Sequence, residues 1–255
     1  MQNPDPPKII TVADGLTIRQ EIDNMGWMDM GDYGLAVDAL EKAHLEAEVF
    51  DAIDKTLGEK PIRFLLNTHT HYDHIALNNA FIKRWDTTVV NMENADIPME
   101  GRWFEGTSRR AQMIPLPGCH TATDCLIWLP EDRTLFAGDL FGWGLIPLSG
   151  PLTDETARDL LAVYSRMIDF DASTVVPGHG PLCDTGTLRR WVRYFQDLRR
   201  QVGALLGDGV SADRIRSDIT PPEDMCDWWR FCAWKHEDSL NKMIESLASG
   251  RLRAG

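Results

Sequence analysis

Residues 67–74 read Asn-Thr-His-Thr-His-Tyr-Asp-His, NTHTHYDH, shortly after a largely apolar run of strand length at 62–66 that only Arg63 interrupts. Three histidines and an aspartate within six residues have no cheap structural explanation. The i, i+2 spacing of His69 and His71 puts both rings on one side of an extended chain, while the adjacent Asp73 and His74 point elsewhere as the chain turns into a helix expected over 74–85. One tetrahedral ion does not comfortably take four ligands from so short a stretch, whereas two neighbouring ions do.

Three later turns supply what is missing: His120 in PGCHT, Asp139 in LFAGDLF and His179 in PGHGP. His120 completes one set with His69 and His71. Asp73, His74 and His179 form a second, and Asp139 bridges the two. All seven ligands are imidazole or carboxylate, a donor set that suits zinc and also iron or manganese. The remaining histidines, His44 in a helix expected over 41–57 and His236 among C-terminal charges, read as surface residues. Cys119, next to His120, reads as a packed neighbour and not as a nucleophile.

Outward from the cluster, strands and helices alternate. Residues 1–8 are proline-rich and expected to fray. Strands are expected at 9–12, 16–22, 34–40, 62–66, 87–91, 113–116, 125–129, 134–137 and 173–176. Helices are expected at 41–57, 74–85, 153–168 and 187–206, with a helix or helix pair over 223–249. Residues 23–32 read as a turn exposing Met25, Trp27 and Met28, residues 97–110 as irregular, and residues 141–152 as an apolar Gly/Pro loop. The arginines of 189–200 interleave with Trp191, Tyr194, Phe195 and Leu198 as the solvated face of an amphipathic helix. Most candidate ligands follow a strand, where α/β sheets place their chemistry. A mixed α/β layer structure with ligands along one sheet edge is the expectation.

A net charge of −13 argues against binding a phosphate backbone. No stretch is long and apolar enough to span a bilayer, and the first residues lack a signal-peptide core. Five scattered cysteines without a CxxC pattern fit reduced thiols in a cytoplasm.

From about residue 9 to 205 the chain resembles the metallo-β-lactamase superfamily of dinuclear metallohydrolases, in its glyoxalase II-like and lactonase-like branch. The resemblance is carried by NTHTHYDH at 67–74, PGCHT at 117–121, LFAGDL at 135–140 and VPGHGP at 176–181. It implies a four-layer αββα sandwich with the metals at one edge, in a single domain over 1–255 whose residues 206–255 form a helical extension. It also matches Asp38, in LAVDAL, to an acidic residue that supports the ligands from behind. Where the family usually has glycines, this chain has Ile75-Ala76-Leu77-Asn78 and Thr123, changes that narrow the rim without removing a ligand.

Such a site implies a hydrolase that uses a metal-bridging hydroxide on an ester, thioester, lactone or amide, with two zinc ions as the expected cofactors. Asp73 is expected to orient water and carry a proton besides ligating, and Tyr72 to donate to a developing oxyanion. Trp27, Trp103 and Trp143 are expected to wall the mouth against a small, partly apolar substrate. The alternative is an oxidoreductase resembling the one-iron persulfide dioxygenases, which need three ligands only. The absence of an appended nucleic-acid domain disfavours a nuclease. Four large aromatics between Trp228 and Trp234 suggest core packing or a homodimer contact before a substrate lid.

Overall fold

A computed structural model describes residues 7–254, so most of the frayed start expected over 1–8 lies outside the described residues. The chain divides into two compact units, residues 1–140 with 172–183 and residues 141–171 with 184–255.

The first unit holds two sheets. One runs in the order β1 (Lys8–Ala13), β2 (Leu16–Gln20), β3 (Met25–Asp29), β4 (Gly34–Val37), β5 (Ile62–Leu66), β6 (Thr88–Val90). Its first four strands pair antiparallel through short turns, and β4, β5 and β6 are parallel. Parallel neighbours need crossovers, supplied here by α1 (Glu46–Leu57) and α2 (Asn78–Trp85). The second sheet is β11 (Thr174–Pro177), β10 (Thr134–Gly138), β9 (Cys125–Leu129), β8 (Arg110–Pro115) and β7 (Arg102–Glu105), with only β10 and β11 parallel.

Alternation along the strands decides which side chains meet. Met28, Leu35, Val37 and Leu66 point into a core shared with Met113, Ile127, Phe136 and Val176 of the second sheet. Trp27, Ala36 and Leu65 point the other way, onto Val49, Phe50 and Ile53 of α1 and Phe81 of α2. The centre of the first sheet, β3 and β4, is thus buried on both faces, which corrects the exposed turn expected over 23–32. Met25, Trp27 and Met28 are fully buried in β3. A strand covered on both sides loses the polar alternation that marks half-exposed strands. Residues 97–110, expected as irregular, contain the edge strand β7.

The second unit is helical: α3 (Asp154–Asp169), α4 (Thr185–Gly207), α5 (Ala212–Asp218) and α6 (His236–Ala248), the last preceded by a π-helical turn at Phe231–Lys235. Thr153 and Thr156 close a reciprocal capping box on α3, and Asp184 caps α4 through the Thr187 amide. Tyr164 of α3 stacks on Trp191 of α4 at 3.9 Å, so the apolar stripe of α4 lies inward as its spacing predicts. The helices expected as an extension from residue 206 share a unit with α3 and α4. His236 is buried, 6% exposed, where the sequence reads as surface. His44 is exposed, in a short 3-10 turn ahead of α1. Among the described residues no helix is long and apolar enough to cross a membrane.

Candidate metal centre

Several strands of the first unit end at one edge, and the loops leaving them carry the candidate ligands. Asp38 follows β4, the NTHTHYDH segment follows β5, His120 lies between β8 and β9, Asp139 follows β10 and His179 follows β11. The edge is tied together by backbone bonds: the Cys125 amide donates to the Thr68 carbonyl at 2.7 Å and the Gly178 amide to the Gly138 carbonyl at 2.8 Å.

Two sets of ligand atoms gather there, His69, His71, His120 and Asp139 in one and Asp73, His74, Asp139 and His179 in the other, each within 4.8 Å of one another. Asp139 belongs to both through different oxygens. Its Oδ2 lies 3.3 Å from His120 Nε2 and 3.9 Å from His69 Nε2. Its Oδ1 lies 3.4 Å from His74 Nε2 and 3.3 Å from His179 Nε2. Asp73 Oδ2 closes the second set, 3.3 Å from His179 Nε2. His69 and His74 form a buried floor, the other members are partly open, and His71 is exposed.

The donor set fits divalent cations, and so do its unsatisfied atoms. His69 Nε2, His74 Nε2, Asp73 Oδ1 and Asp139 Oδ1 are buried and make no hydrogen bond. Burying polar atoms without partners is costly, and a cation in each set would satisfy all four. The local electrostatics ask for positive charge. Burial opposes ionisation of Asp139, yet His74 and His179 hold its carboxyl well below the usual carboxylate range. Burial alone would lower His74, but Asp38 and Asp139 push it up to about 10. His179 likewise rises to about 12, against its burial, through Asp139, Asp23 and Asp73. His69, buried beside other imidazoles, falls to about 3. Protons and metal ions compete for such atoms.

The supporting groups are buried and polar. Asp38, with φ 58, accepts from the Thr68 amide at 2.8 Å and lies 3.0 Å from His74 Nδ1. Three further supports escape the sequence reading. Asn67 donates to the His74 carbonyl at 3.1 Å. Asp124 accepts from the backbone amides of His120 and Thr121, both within 2.9 Å, which shapes the His120 turn. Asp23 Oδ1 lies 3.5 Å from His179 Nδ1. The cue for Asp124 is its place four residues after the turn histidine, whose amide it accepts from; Asp23, far away in sequence, carries none.

Tyr72 stands at the edge, 69% exposed, its hydroxyl pushed above its usual pKa by the Asp73, Glu41 and Asp23 carboxylates. The three tryptophans do not form an open wall. Trp27 is fully buried and its indole donates to Thr56 Oγ1 at 2.7 Å. Trp103 is 40% exposed on the edge strand β7, under the Arg110 guanidinium. Trp143 is 8% exposed, packed against Phe141 and Trp228 within the helical unit. Bulk aromatic character in the sequence reported burial at Trp27 and Trp143, not a rim.

The model of the metallo-beta-lactamase superfamily matches residues 32–118 and 95–179, stretches that together contain every candidate ligand. A hydroxyacylglutathione hydrolase of Rhizobium meliloti (strain 1021) is 29% identical over 140 residues, 51% of this chain and 52% of that protein. The chain thus spans about half the length of the curated relatives it matches. A metallo-beta-lactamase from Pontibacter korlensis shares the fold with a TM-score of 0.62 at 17% identity, covering 74% of this chain and 98% of its own. The sec-alkylsulfatase Pisa1 from Pseudomonas sp. reaches a TM-score of 0.71 at 14% identity, over 94% of this chain and 50% of its own. The two sheets with their helices are the α/β sandwich of these structures, with C-terminal helices added. Fold, ligand order and family match agree, and the chain belongs to the metallo-beta-lactamase superfamily.

Proposed function

We propose that the protein is a metal-dependent hydrolase that holds two divalent cations, zinc by preference, and cleaves an ester, thioester, lactone or amide of a small substrate. The observation that carries this reading is the division of Asp139, one oxygen toward each ligand set. A one-iron oxygenase needs only the first set, which would leave Asp73 Oδ1 and His74 Nε2 of the second buried and unpaired.

His69, His71 and His120 would hold one cation, Asp73, His74 and His179 the other, and Asp139 both. When bound, such a pair lowers the pKa of water from about 15.7 to near 7 and polarises a carbonyl oxygen. Asp73 has one oxygen toward His179 and one buried and unpaired, which suits it to orient water and pass a proton to the leaving group. Tyr72, neutral and exposed beside it, is placed to donate to oxygen at the mouth. A glutathione thioester, the substrate type in the Rhizobium relative's name, brings carboxylates. The two lysines of the C-terminal segment are occupied elsewhere: Lys235 donates to the Gly142 carbonyl and Lys242 to those of Ile146 and Leu148. That favours an acyl substrate without a dense anionic tail.

The test is a panel of chromogenic esters, thioesters, lactones and amides, run with zinc-loaded protein and with Asp139→Ala, alongside metal analysis. Two ions per chain, hydrolysis of at least one acyl class and its loss in Asp139→Ala are expected. One iron per chain with oxygen uptake overturns the proposal.

A further inference from the structure

The turn between β2 and β3, Glu21-Ile22-Asp23-Asn24, contributes no ligand, yet it grips the loop that carries His179. Asn24 is 3% exposed. Its two amide hydrogens go to the Pro177 carbonyl at 2.9 Å and the Gly180 carbonyl at 2.7 Å, one on either side of His179. Its side-chain oxygen accepts from the Glu21 amide at 3.1 Å, and its own amide donates to the Gly178 carbonyl at 2.8 Å. Only an amide side chain gives two hydrogens and accepts a third bond, so aspartate, leucine or alanine would leave two buried carbonyls unpaired.

The same turn sets the ring. His179 Nδ1 lies 3.0 Å from the Ile22 carbonyl, which also accepts from the Gly180 amide at 3.2 Å. A carbonyl only accepts, so Nδ1 carries the hydrogen. In the neutral ring, the form that meets a cation, Nε2 is then the atom left with a lone pair, and it faces Asp73 and Asp139, each at 3.3 Å. Asp23 stands beside Nδ1 and is itself fixed, its Oδ2 accepting from the Glu41 amide at 3.2 Å.

We propose that Asn24 is a positioning residue for His179: with the Ile22 carbonyl and Asp23 it clamps the 177–180 loop so that Nε2 meets the cation shared with Asp73, His74 and Asp139. This rests on the two-cation reading above. The clamp reaches across more than 150 residues of sequence, from the β2–β3 hairpin to the loop of His179.

Cobalt(II) is the probe, titrated into metal-free protein against a competing chelator and followed by its visible absorption. Wild type should bind two ions, and Asn24→Ala should weaken one by about 10–100-fold while leaving the other within about threefold. In a His179→Ala background, adding Asn24→Ala should change neither ion further, a coupling that general damage to the fold would not give. Asn24→Asp, equal in size but without the hydrogens, should behave as Asn24→Ala. Unchanged affinities in Asn24→Ala, equal weakening of both ions, or an undiminished Asn24→Ala effect when His179 is absent overturns the clamp. If Asn24→Ala fails to fold, Asn24→Ser carries the same cycle. A wild-type stoichiometry of one cobalt overturns the two-cation reading by itself. The cycle is then read on that ion, and indifference of that ion to His179→Ala overturns the clamp as well.

Discussion

Asp38 Oδ2 lies 3.0 Å from His74 Nδ1, on the far side of the ring from Nε2, which faces Asp139 at 3.4 Å. A carboxylate behind the ring fixes both its rotation and which nitrogen keeps its lone pair. The same carboxylate accepts from the Thr68 amide and hydroxyl, both at 2.8 Å, so one buried group joins two successive ligand-bearing turns.

Asp38→Ala therefore removes acceptors from three buried donors and puts alanine at φ 58, where Asp and Asn are better tolerated. We expect a loss of about 1–3 kcal/mol in stability from the stranded donors. Metal affinity should fall by about 10–100-fold. Asp38→Asn should be milder in stability. Urea unfolding in chelator and metal titration measure the two effects separately, and an unchanged metal affinity would refute the supporting role.

Gly178 has no room for a side chain. A Cβ there would lie 2.8 Å from His74 Cε1 and would collide with Asp139 Oδ1. Gly178→Ala should displace the shared carboxylate and strip metal while the chain stays folded. Gly207→Ala, at the end of α4 with nothing within 4 Å, is the control and should leave metal content unchanged. Metal analysis after dialysis decides, and full occupancy in Gly178→Ala would count against the placement of Asp139.

His236 gives the helical unit a dependence on pH. Its Nδ1 pairs with the Tyr194 hydroxyl at 3.0 Å and its Nε2 with the Ile219 carbonyl at 3.3 Å, and burial lowers its pKa from 6.5. The unfolded chain takes up a proton near pH 6.5 that the native ring resists. The contribution to stability is complete above that pH and is lost as pH falls from it toward the lowered native value. Metal-free wild type should thus lose more stability between about pH 7.5 and 5.5 than His236→Gln, which lacks the titration. Parallel curves of unfolding midpoint against pH would remove His236 from the account.

Trp27 should behave as a core residue. Trp27→Ala deletes a fully buried indole bonded to Thr56, which costs about 3–5 kcal/mol. Trp27→Phe should cost less and leave kcat/KM per bound metal unchanged. A raised KM at unchanged stability would restore Trp27 to the substrate wall.

The two candidate clusters are legible because their chemistry is local: alternate histidines, an aspartate after a strand and glycines around His179 each mark a candidate donor within a few residues. Asn24 is not, since it bonds to Pro177 and Gly180 and nothing near residue 24 hints at them. Strand β3 was hidden for a different reason. Met-Gly-Trp-Met is buried on both faces and flanked by Asp29, Gly31 and Asp32, so it resembles an exposed turn. His236 was misplaced because Lys235, Glu237 and Asp238 surround it. The buried stripe of α6 at His236, Ser239, Leu240 and Met243 keeps helical spacing, but two of its members are polar.

The path of the chain sets an order on biosynthesis. The first unit is interrupted after Leu140 and resumes at Ala172, so an excursion of the polypeptide separates Asp139 from His179. A nascent chain that has just emitted Asp139 already owns the whole His69, His71, His120 and Asp139 set, together with Asp73 and His74. It lacks only His179, along with the carbonyls that Asn24 will grip. His179 is thus the last candidate ligand to be synthesised, and a helix, α3, is made between it and Asp139.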